Sequence, residues 1–103
     1  MVIREWRGRA RSSNADAYPR HFRENVVPEL GKIPGFVGAH LAQRQLRDQV
    51  EFLVLTRWQS MEAIRAFAGT NVEKAVVEPA AVAALIDFDA TVQHYVVIEA
   101  VPP

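Results

Sequence analysis

The chemistry-bearing side chains of this chain are few and widely spaced. His94 is the best general base by residue type, because an ordinary imidazole titrates near neutrality. It lies between Val92 and Val96, so partial burial is expected, and a purely structural role bonded to a backbone carbonyl remains the alternative. Arg44 offers a planar fork for an oxyanion or a carboxylate, with a cross-strand salt bridge to Glu51 as its competing role. Trp6 and Trp58 would make flat apolar walls for an aromatic ligand, or plain core. Tyr18 and His21 could reach a pocket mouth; Tyr18 heads an apolar stripe, which favours structural use, and His21, one position before Phe22, is expected to face solvent.

Several chemistries are excluded. There is no cysteine, hence no disulfide, thiolate nucleophile or sulfur-ligated metal. The three histidines, His21, His40 and His94, fall on separate elements without ligand spacing, so no metal site is expected. No glycine-rich phosphate loop and no nucleophile elbow occurs, and no cofactor is expected. Twelve basic and twelve acidic side chains cancel, which argues against steering toward nucleic acid. Apolar stretches are too short to span a bilayer, and no export signal is read at the N-terminus; a cytoplasmic location is the default expectation.

The elements that must position these groups follow from periodicity. Val2 to Arg9 alternates in strand fashion. Tyr18, Phe22, Val26 and Leu30 recur every four residues, which predicts a helix over 16–30, imperfect because of Pro19 and Pro28. Pro34-Gly35 reads as a type II turn. Phe36 to Leu46 and Val50 to Trp58 read as an antiparallel hairpin closed by Arg47-Asp48-Gln49. Phe52, Val54, Thr56 and Trp58 share one face of its second strand, and Leu53 and Leu55 the other. Ser60 caps a second helix that carries Ile64 and Phe67 and stops at Gly69. Asn71 to Val77 reads as a short helical turn, Pro79 to Ile86 as another, and Thr91 to Ile98 as the last strand.

This order, βαββαβ, is the ferredoxin-like α+β unit: a four-stranded antiparallel sheet, here one domain over residues 1–103, with helices on one face. The other face, with Leu53 and Leu55, is more apolar than a monomer usually shows, so a homodimer is expected. The alternative is that residues 71–86 fold over it.

The run Arg4-Glu-Trp6-Arg-Gly8, Tyr18, Pro34-Gly35-Phe36, Glu51-Phe52, Leu55 through Ser60, Glu62 through Gly69, then Ala75, Pro79 and Val92-Gln-His94-Tyr95 resembles the antibiotic biosynthesis monooxygenase superfamily. The resemblance implies a dimeric α/β barrel with a pocket between sheet and helices of each protomer. It further implies either a cofactor-independent monooxygenase oxidising a small phenolic or quinol-like aromatic with dioxygen, or a non-catalytic barrel of the same build that binds a small ligand or partner. Trp58 fits the tryptophan that lines the pocket in phenol-oxidising members. Their asparagine and tyrosine fall on Val54 and Ile64, and the haem degraders' tryptophan and histidine ligand on Phe67 and Val77. Trp58, Trp6, Tyr18, Phe67 and Val54 are accordingly the expected substrate contacts, with His94 and Arg44 as the polar candidates.

Overall fold

A computed structural model describes residues 1–103. Strand β1 (Val2–Arg11) pairs along its whole length with β3 (Gln49–Trp58), and β3 pairs with β2 (Phe36–Leu46), all antiparallel. On the far side of β1 lie two short strands, β4 (Asp87–Phe88) and β5 (Gln93–Val96). The sheet order β2-β3-β1-β4 is that of the ferredoxin-like fold.

Alternation assigns the two faces. Val2, Trp6, Ala10, Val50, Phe52, Val54 and Trp58 are buried under the helices, while Glu5, Arg7, Glu51, Leu53 and Leu55 alternate with them on the open face. Helices α1 (Ala17–His21) and α2 (Val27–Leu30) are joined by a π-helical stretch, Phe22–Val26. Pro28 supplies no amide hydrogen, and the ladder widens just before it, with Val27 N–H reaching Phe22 O. The predicted helix over 16–30 is therefore continuous but locally unwound. Gly35 has φ of 91°, and a Cβ there would meet the Ala63 side chain at 2.6 Å, which fixes glycine in the turn before β2.

Ser60 caps α3 (Met61–Ala68) by accepting from Ala63 N–H at 3.2 Å, and Gly69 closes it with positive φ. Helix α4 (Pro79–Ala84) packs on α1, so the segment after α3 covers the helix layer and leaves the open face of the sheet bare.

Two expectations need correction. Asn71 to Val77 is not helical beyond one turn; it runs extended, with Ala75 N–H on Ala90 O and Val92 N–H on Glu73 O. The last strand is not continuous from Thr91 to Ile98. Gly8 faces Phe88 and Glu5 faces Gln93, so residues 89–92 bulge out against Trp6 and Arg7. The bulge is held by Trp6 Nε1–H donating to Asp89 O at 2.7 Å and by Arg9 pairing with the Asp89 carboxylate at 3.0 Å.

Candidate functional site

The helix-side face of the sheet holds two packed clusters. One, around Val2, Leu30, Trp58 and Ile64, is filled. Trp58 and Ile64 are wholly enclosed; the Trp58 ring stacks on Phe67 at 5.6 Å and meets Phe36 edge-on at 5.3 Å. The second cluster, around Trp6, Tyr18 and Phe52, stops short of closing, and a cavity of about 70 Å³ opens beside it.

Trp6, Tyr18, Val54 and Phe67 line that cavity. Trp6 and Tyr18 meet at 5.8 Å, and Tyr18 leans on Phe52 at 5.3 Å. Trp58 does not reach the cavity. Its indole N–H donates at 2.8 Å to Thr56 Oγ1, and Thr56 and Phe67 form the wall in front of it. The strap of residues 69–78 between α3 and α4 closes the remaining side with Val76, Val77 and Glu78.

The polar candidates are rearranged more deeply. Arg44 and His94 do not share a cavity. Arg44 stands opposite Glu51 in the hairpin, where the pleat turns both outward; Nε donates to Glu51 at 2.8 Å from an exposed position. That hydrogen bond holds the Glu51 carboxyl below its usual range. His94 lies opposite Arg4 at the edge of β1, outside the cavity wall, and its Nε2 takes a hydrogen bond from Arg4 Nη1 at 2.9 Å. Burial, then the Arg4 charge, lowers its pKa, so the ring is held neutral with one nitrogen engaged.

Two residues that sequence reasoning missed take their place. Arg4 is 5 % exposed, forms no ion pair, and lines the cavity. Its guanidinium donates to Val72 O at 2.6 Å and Lys74 O at 3.1 Å, tying the strap down, and lies 5.7 Å over the Phe67 ring. Burial pulls its pKa down to about 10. The available signal was parity: Arg4 shares its face with Val2, Trp6 and Ala10. His21, expected in solvent, is 7 % exposed and lines the cavity, with Nε2 unpartnered. It sits three residues after Tyr18, which places both on one helical face, under α4.

The family profile for antibiotic biosynthesis monooxygenases matches residues 1–79. The chain belongs to that family. Solved structures agree on the fold. A Bacillus cereus protein described as an antibiotic biosynthesis monooxygenase shares 18% identity and a TM-score of 0.70, over 99% of this chain and 97% of that one. A variant of SnoaB, a cofactor-independent oxygenase from Streptomyces nogalater, is similar at 18% identity and TM-score 0.67, over 99% and 97% of the two chains. The haem degrader MhuD from Mycobacterium tuberculosis, with two haems in its active site, is similar at 18% and 0.63, over 99% and 100%. At these identities the likeness is one of fold. A search of curated proteins finds no match. No helix of this family member is long and apolar enough to cross a membrane.

Proposed function

We propose that this family member is a monooxygenase that oxidises a small phenolic or quinol-like aromatic with dioxygen in the cavity beneath the strap. The carrying observation is a buried cation without a carboxylate partner in a mainly apolar wall: Arg4 beside Trp6, Tyr18 and Phe67. Such a wall orients a ring and excludes water, and the buried positive charge of Arg4 favours an anionic substrate in the cavity. An electron-rich ring can then reduce dioxygen itself: the substrate gains one oxygen atom and gives up two hydrogens, which leave with the other atom as water. Tyr18 is held protonated, its pKa raised by burial and by nearby Glu78, and acts as a donor in this scheme.

A haem-binding reading has less support. The cavity is about 70 Å³, far below what a macrocycle needs, and Val77 stands where the family resemblance would place a ligand. His21 is the one imidazole in the cavity wall, and α1 and α4 enclose it. We also place a second copy of the chain on the open sheet face, where Ile3, Leu53 and Leu55 lie between ion pairs and Tyr95 is 49 % exposed. Sedimentation at the mass of two chains, reverting to one in Leu53→Glu, is the expected result; a monomer in the unaltered protein removes the dimer.

Oxygen uptake with simple phenols and quinols is the direct test. Consumption that falls about tenfold or more in Arg4→Gln is expected, by the size of a charged hydrogen bond. Saturable binding with no oxygen consumed would leave a non-catalytic binding protein instead.

A further inference from the structure

The cavity wall is rich in donors and poor in acceptors. A guanidinium carries five N–H groups. In Arg4, Nη1 serves Val72 O and His94 Nε2, and Nη2 serves Lys74 O, which leaves Nε–H and one Nη2–H without a partner in the chain. Nε and Nη2 share one edge of the planar fork, an edge that takes a carboxylate in bidentate fashion. No carboxylate of the protein fills it.

His21 adds to this. Asn25 Nδ2 lies 3.3 Å from His21 Nδ1 and donates to it, so the ring hydrogen is on Nε2. That N–H is buried, lines the cavity and has no acceptor. A buried donor without a partner costs stability unless a ligand satisfies it. The one acidic group in the wall, Glu78, is exposed at the rim, and its effect on buried Tyr18 is smaller than that of burial.

From this arrangement we infer that the substrate is a single-ring hydroxyaryl carboxylate, with its carboxylate on the free edge of Arg4 and its hydroxyl at His21 Nε2. The inference rests on the proposed oxidation and narrows its substrate class. Size favours a single ring. An apolar cavity of about 150 Å³ holds benzene, more than twice the 70 Å³ here, so a single ring is the most the site can take and its entry requires Val76 and Val77 on the strap to move outward.

The test is calorimetric titration of the whole protein with 4-hydroxybenzoate and with its neutral amide, 4-hydroxybenzamide. The acid is expected to bind about ten- to a hundredfold more tightly, from one bidentate charged contact. Arg4→Gln should remove that preference by weakening acid binding far more than amide binding, and Arg4→Lys should restore part of it. If Arg4→Gln does not fold, His21→Phe replaces it, with a several-fold loss of acid affinity expected. Equal affinity for acid and amide, no binding of either, or an unchanged preference in a folded variant overturns the inference. Oxygen uptake on phenols lacking a carboxylate, without acid preference, would overturn this inference and leave the oxidation standing. Acid-selective binding without oxygen uptake does the reverse.

Discussion

The two tryptophans on the helix side of the sheet have the same chemistry and opposite surroundings. Trp58 is sealed between Phe36, Phe67, Leu30 and Ile64, and its N–H is satisfied two residues away by Thr56. Trp6 is satisfied 83 residues away, by Asp89 O in the bulge between β4 and β5, and part of its ring faces the cavity. One end of the layer is packed solid and closed by α2 and α3. The other is closed by α1, α4 and a strap hung on Arg4. Function is to be sought where packing stops short, because a cavity forfeits contacts that a solid core would keep.

Truncating the two rings measures that difference directly. Trp58→Ala should cost about 3–5 kcal/mol in denaturant unfolding, the range for a sealed aromatic, and a loss of that size is a large part of a small domain's stability. Trp6→Ala should cost about 3 kcal/mol or less, because its ring already borders empty space. Ligand affinity should show the reverse order, with Trp6→Ala losing aromatic binding that a folded, conservative Trp58→Phe keeps. Equal losses of stability would mean that the two ends are packed alike and the cavity has no energetic meaning.

Why one end was legible in the sequence and the other was not follows from where their contacts come from. The β1 alternation, the β2–β3 hairpin, the Ser60 cap and the Gly69 stop are local patterns, and each was readable within a few residues. That Trp6, Val54 and Phe67 turn toward the helix layer was readable too, through parity and helical spacing. What was not legible depends on partners far along the chain. The strap read as helical because its own residues permit a turn, yet Arg4, 68 and 70 residues away, holds its carbonyls in an extended path. The break in the last strand is imposed by Trp6 and Arg9 on Asp89. Arg4 itself was passed over as one charged residue in an alternating strand, when its parity with Val2 and Trp6 marked it as inward.

The smallest expected effect isolates the strap end by pH. His94 has a folded pKa below its ordinary value of 6.5, first because burial disfavours the charged ring and then because Arg4 repels it; Glu73 opposes this weakly. The sign follows from linkage: the unfolded chain binds the proton more readily, so the contribution is fully favourable above about 6.5 and is lost as pH falls toward the depressed folded value. Protonation also removes the acceptor that Nε2 offers Arg4 Nη1 and sets two cations side by side, loosening the guanidinium that holds Val72 and Lys74. Stability should therefore fall as pH drops below about 6.5 toward the depressed folded value, by less in His94→Gln, which has nothing to titrate there. Amide exchange at Ala75 and Val92, which pin the strap to the last strand, should quicken over the same interval. The Trp58 end, with no imidazole in its packing, should not change. Uniform quickening at both ends would show that the acid response belongs to the whole fold and that the Arg4–His94 pair has no special hold on the strap.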